Sequence, residues 1–168
     1  MSLSESPSKT VAQSAVNDHC HLIFGTDMNA RGTVFGGRIM EIADMLAGIV
    51  AKRHSQMDCV TLSADSFRFL GPAVMGEILI FKVAINRVWG TSMEAGVKVY
   101  AEKTETAEVR HIVSAYFTLV TVSVDGCGVR RKLPGIIPET SDEKRRFSEA
   151  QIRRERRLAE DREKQNRA

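Results

Sequence analysis

One stretch constrains the fold more than any other. From Gly37 to His54 the chain reads as a helix, with Ile39, Met40, Ile42, Met45, Leu46, Ile49 and Val50 around most of its circumference. A helix that is apolar nearly all round is buried rather than lying on a surface. At 1.5 Å per residue it runs about 27 Å, enough to cross a small domain. Asp44 stands in its middle. Burying a carboxylate costs several kcal/mol unless it is paired or hydrogen-bonded. Asp44 is therefore either a satisfied structural acid or a functional one. One turn on, Ala47 and Gly48 leave space beside it. The helix opens on Gly36-Gly37. First-turn amides have no acceptor within the helix, and the dipole there is positive. With both side chains absent, a ligand oxygen can approach those amides. A tight turn needing positive φ would use the same glycines.

Beyond the helix the chain is strand-like. Val60 to Phe69 is one run, and Gly71-Pro72 makes a corner. Glu77 to Val88 is the next, with Leu79, Phe81, Val83 and Ile85 on one face. After Gly90-Thr91, Met93, Ala95, Val97, Val99 and Ala101 alternate with polar residues, the period of a half-buried strand. His111 to Val122 is the last run, and a short strand near His19 to Phe24 precedes the helix. One long helix followed by consecutive strands favours an α+β layout with an antiparallel sheet packed on the helix. Such a sheet has a second face and two edges to protect, and pairing with another copy does so. Residues 1–17, rich in Ser, read as a mobile terminus. Residues 18–133 form the domain, and 134–168 a linker and a charged helix. Thr140 and Glu143 are spaced as a capping box for that helix. Phe147, Ile152 and Leu158 are its only large apolar residues, so only its first turns are expected to dock.

Charge and cysteine usage exclude several classes. Of the 168 residues, those from Asp142 onward carry ten Lys or Arg against seven Asp or Glu, which equals the whole net charge of +3. The body is neutral, which argues against a nucleic-acid surface. Cys20, Cys59 and Cys127 are scattered and form no metal or disulfide pattern. The start lacks the marks of a secretory or transit peptide. The apolar run from Ile112 to Val124 is shorter than the roughly 20 residues a membrane helix needs. The reading is a cytoplasmic protein without membrane, metal or bound cofactor.

Other candidates for chemistry are individually weaker. Asn29 lies in the loop before the helix, and Glu41 is a second carboxylate three residues before Asp44. His19, His21, His54 and His111 lack metal spacing, and no nucleophile elbow or phosphate loop occurs. Ser66, Arg68, Arg87, Thr91 and Ser92 sit at turns and strand ends, where a nucleotide or plain solvent would suit them equally.

The run Thr26-Asp-Met-Asn-Ala-Arg-Gly-Thr-Val-Phe-Gly-Gly-Arg-Ile-Met-Glu-Ile-Ala-Asp44 resembles the signature of hotdog-fold acyl-CoA thioesterases of the bacterial and brain cytosolic type. Ser66 to Gly76, Asn86 to Val97 and Ile137 to Thr140 resemble further parts of that family in the same order. The resemblance implies a hotdog fold, a long central helix wrapped by an antiparallel sheet. It implies a dimer as active unit, assembled as a trimer of dimers into a homohexamer. Asp44 would be the catalytic carboxylate, either as general base on water or as nucleophile. Asn29 would come from the opposite protomer, and the Gly37 amide, beside Gly36, would polarise the thioester carbonyl. Ser66, Arg68, Arg87, Thr91 and Ser92 would contact coenzyme A, which is part of the substrate. Fatty acyl-CoA would be hydrolysed to free fatty acid and coenzyme A. The family often has His before the glycine pair, whereas this chain has Phe35. A non-catalytic acyl-CoA-binding regulator on the same fold is the alternative.

Overall fold

In the computed structural model, residues 7–122 and 131–166 are described. Residues 1–6 of the expected mobile terminus, and Cys127, lie outside them. In chain order the elements are β1 (Lys9–Thr10), β2 (Val16–Leu22), α1 (Gly36–Ser55), β3 (Cys59–Phe69), β4 (Ile78–Trp89), β5 (Ser92–Glu102), β6 (Val109–Thr121), β7 (Ile136–Ile137) and α2 (Ser141–Gln165). Five strands form an antiparallel sheet in the order β2-β4-β5-β6-β3. β3, the first strand after α1, therefore crosses to the far edge and pairs with β6.

Alternation decides which face is which. Leu79, Phe81, Val83 and Ile85 of β4, and Met93, Ala95, Val97, Val99 and Ala101 of β5, are buried on the inner face. α1 lies across that face, and Ile39, Ile42, Ala43, Leu46, Ala47, Val50 and Ala51 are buried there. Each large side chain so removed from water stabilises by about 1.5–3 kcal/mol. The result is an α+β hotdog architecture.

Three expectations need correction. α1 is not buried all round: Met40, Met45 and Ile49 are exposed, and so is Asp44. One sheet covers one side of a helix, and among the described residues nothing lies over the other. Second, the described part of residues 1–17 is structured. Lys9 and Thr10 pair in parallel with Ile136 and Ile137, and β2 begins at Val16. Lys9 Nζ donates to the carbonyls of His54 at 2.7 Å and Arg53 at 3.1 Å, the negative end of α1.

Third, α2 docks well past its first turns, and through arginine. Glu94, on the outer face of β5, is 1% exposed. It accepts from Arg153 Nη2 at 2.7 Å and Nε at 3.0 Å, and from Asn86 Nδ2 at 2.9 Å. Arg157 bonds Asp65 and, at 2.7 Å, Thr118. Arg153 stacks 3.7 Å from the Tyr116 ring centroid. The sheet's outer face offers acids and rings, so guanidinium groups rather than aliphatic ones make the contact, and Ile152 is left exposed. The expected capping box at Thr140 and Glu143 is formed. No described helix is long and apolar enough to cross a membrane.

Candidate active site

The open face of α1 carries the most suggestive chemistry. Asp44 projects from it, and Thr61 of the edge strand β3 donates its hydroxyl to Asp44 Oδ1 at 2.6 Å. A hollow of about 560 Å³ brings Asp44 together with His19, His21, Arg38, Glu41, Ile42 and Met45. A Cβ added at Gly48 would meet no atom within 4 Å, so the space expected beside the carboxylate is present. Glu41, the second carboxylate, takes a 2.8 Å bond from Arg38 Nη1.

Gly36-Gly37 does open the helix, after Phe35, which contributes no side-chain cap. Neither glycine has positive φ, so the turn reading fails. Their small size makes room for two rings. A Cβ at Gly36 would lie 3.0 Å from Phe69 Cζ, and one at Gly37 would collide with the Phe35 ring. Both rings are at least half exposed. The two glycines are thus half-buried, with two exposed rings packed against them.

Asn29 makes no bond to Asp44 within the chain. Its Oδ1 accepts from the amides of Arg31 at 2.8 Å and Thr33 at 3.3 Å, and its Nδ2 donates to Thr33 Oγ1 at 2.9 Å. The side chain braces its own loop, which is closed by Gly32 at φ +75°.

The residues expected along coenzyme A are not brought together in one chain. Ser66 and Arg68 lie on β3, paired with Tyr116 and Ser114. Thr91 and Ser92 lie at the β4–β5 turn, level with Val120 and hence Val60. Along β6 four to six residues, about 13–20 Å, separate the two groups. Arg87 is taken up by α2: Nη1 donates to the Phe147 carbonyl at 3.2 Å, and the guanidinium lies 4.1 Å from the Phe147 ring.

Two site residues escaped the sequence reading. Thr61 is an ordinary strand threonine, and nothing in its spacing points to Asp44. Asp27, two residues before Asn29, is 5% exposed and bonded from three sides. Its loop composition announced only a turn.

A model of the thioesterase superfamily matches residues 31–108. The protein VdlD of Helicobacter pylori is 35% identical over 135 residues, covering 80% of this chain and 76% of its own. An acyl-CoA hydrolase from Staphylococcus aureus, solved with butyryl coenzyme A, coenzyme A and coenzyme A disulfide, superposes with a TM-score of 0.87 at 30% identity. That match covers 95% of this chain and 96% of the other. The same hydrolase has been solved with an Asp, an Asn and a Thr each changed to Ala. A hexameric acyl-CoA thioesterase superposes equally well, with a TM-score of 0.87 at 30% identity, over 92% of this chain and 97% of its own. The chain belongs to the thioesterase superfamily, in the hotdog-fold branch that these acyl-CoA hydrolases represent.

Proposed function

We propose that the protein hydrolyses fatty acyl-CoA to free fatty acid and coenzyme A, at a site completed by a second copy of the chain. The observation that carries this reading is the accessible Asp44 carboxylate, held by Thr61 at 2.6 Å on the open face of α1. The residue types replaced in the S. aureus hydrolase support it. That Asp, Asn and Thr are each numbered one lower than Asp44, Asn29 and Thr61 here.

A thioester is already activated, so it needs polarisation and a positioned water. The Gly37 amide, at the positive end of α1, would hold the carbonyl oxygen as charge develops on it. Asp44 would take a proton from water while the water oxygen bonds the acyl carbon. The C–S bond then breaks, and the thiolate of coenzyme A recovers the proton from Asp44. Thr61, fixed by Asp44 Oδ1, would orient the carboxylate or the water. Asn29 of a partner would complete the cage. Direct attack by Asp44, giving an anhydride, is the other chemical route. In either case coenzyme A enters as substrate, and no separate cofactor is called for.

Two features favour the second copy. Met40, Met45 and Ile49 are exposed on the face of α1 that carries Asp44, and Val60 and Leu62 are exposed on the edge strand β3. Apolar surface and an unpaired strand edge are what an interface covers. The hexameric relative supports a trimer of such dimers. The coenzyme arm would then take Ser66 and Arg68 from one chain and Thr91 and Ser92 from another. This reading keeps the cytoplasmic placement expected from the sequence. The test is thiol release across acyl-CoAs of increasing length. Wild type should turn over, and Asp44→Ala should lose at least about 10²-fold in kcat while still binding acyl-CoA. Binding without turnover in the wild type would instead mark a regulator.

A further inference from the structure

Asp27 occupies an unusual position for a loop acid. It is nearly buried, and its two oxygens reach separate elements. Oδ2 accepts from the Phe24 amide at 2.9 Å and lies 2.9 Å from His21 Nε2 of β2. Oδ1 accepts from Arg38 Nε at 3.1 Å. Its carbonyl accepts from the Phe35 amide at 2.8 Å. Burial acts to raise the pKa of this carboxyl, but the Phe24 amide, His21 and Arg38 outweigh it and leave it below the ordinary carboxylate range. The group is therefore a charged, fully engaged hub.

The hub ties together the elements that surround the site. Arg38 follows Gly37, and Phe35 precedes the glycine pair, so Asp27 grips the first turn of α1 from both sides. Asn29 is two residues further along the same loop. Arg38 also reaches Glu41 at 2.8 Å, and His21, Arg38 and Glu41 line the same hollow as Asp44. One carboxylate thus sets the helix-start amides, the Asn29 loop and one wall of the hollow relative to each other.

We propose that Asp27 is a positioning residue for the hydrolysis, holding the Gly37 amide and the Asn29 loop in catalytic register through Arg38, His21 and its own backbone. This rests on the acyl-CoA hydrolase reading. Preorganised donors lose their effect when displaced by about 1 Å, a loss of the order of 10²-fold. Substrate binding, spread over the coenzyme arm, is much less sensitive.

The test measures kcat and KM for thiol release from butyryl-CoA with the full chain. Wild type, Asp27→Asn, Asp27→Glu, Arg38→Gln and the Asp27→Asn/Arg38→Gln double variant are compared, each normalised to folded protein by circular dichroism. Asp27→Asn should lower kcat about 10- to 100-fold with KM within about threefold. Arg38→Gln should follow in the same direction, and the double variant should be no worse than the poorer single one. Asp27→Glu, which keeps the charge, should recover part of the loss. Should Asp27→Asn not fold, Arg38→Gln, about one-third exposed, gives the same kcat-against-KM reading. An unchanged kcat, a rise in KM alone, or additive losses in the double variant would overturn the assignment while wild type remains active. A wild type that releases no thiol from butyryl-CoA or from any longer acyl-CoA would overturn the hydrolase reading, and this one with it.

Discussion

The hydroxyl of Thr61 has one donor proton, and it is spent on Asp44 at 2.6 Å. A hydrogen bond to a carboxylate is worth roughly 1.5–3 kcal/mol, enough to fix the orientation of an otherwise exposed side chain. Thr61→Ala is therefore expected to lower kcat/KM about tenfold or more, and Thr61→Ser to restore most of it, measured by thiol release. Asp44 was legible in the sequence because a carboxylate inside an apolar helix is anomalous. Its burial was misread, because the apolar residues beside it cover an open face, not a core. Thr61 was not legible: its partner is 17 residues away, and only strand register places them together. His54 shows a second residue-scale effect. It is fully buried, its Nε2 lies 2.9 Å from the Pro134 carbonyl, and its Nδ1 has no hydrogen-bond partner among the described residues. Burial pushes its pKa below the ordinary 6.5, with the Pro134 bond opposing and the Lys9 charge adding to the fall. The unfolded chain then binds a proton that the folded one does not, so stability should fall as pH drops below about 6.5. Glu77 has the opposite chemistry. The Arg110 bond holds its carboxyl below 4.5, with burial opposing and the Val74 amide helping. Its stabilisation is present above 4.5 and is lost as pH falls through the lower folded value. Melting temperature against pH should show both declines, and His54→Gln should flatten only the first.

At the scale of elements, the helices divide the labour between the faces of the sheet. α1 is held by aliphatic packing and α2 by ion pairs and rings. In α2 the sequence showed charge of both signs and few apolar residues, which reads as a solvated helix. What it could not show is that Glu94 and Asp65, on strands 59 and 92 residues away, would meet Arg153 and Arg157. Alternation put Glu94 on the polar face of a half-buried strand, so neither its burial nor its partner was visible in the sequence. Arg153→Met should leave Glu94 buried without its cation and cost about 3 kcal/mol in urea unfolding. Adding Glu94→Gln should recover part of that, because the unpaired charge is then gone. The short β1–β7 pairing was equally unreadable, since two-residue strands have no periodicity to detect.

The whole molecule was the most legible scale in one respect and the least in another. The order of one long helix and successive alternating strands was enough for the α+β layout with an antiparallel sheet on the helix, because alternation and helical period are local properties; the hotdog fold was implied by the family resemblance of the Thr26 to Asp44 run. The pairing of β3 with β6 was not, since it depends on which edge remains free. On the proposed reading the site is a property of the assembly. Within one chain, Asn29 braces its own loop and Asp44 faces an uncovered surface of Met40, Met45 and Ile49. If two copies close over that surface, each site takes Asp44 from one and Asn29 from the other. Asp44→Ala and Asn29→Ala are each expected to be nearly inactive alone. Co-expressed in equal amounts, they should form mixed dimers in which one of the two sites carries both native residues. With half of the dimers mixed, thiol release should return to about a quarter of the wild-type rate. Activity no greater than the sum of the two separate variants would contradict a shared site built on Asp44 and Asn29.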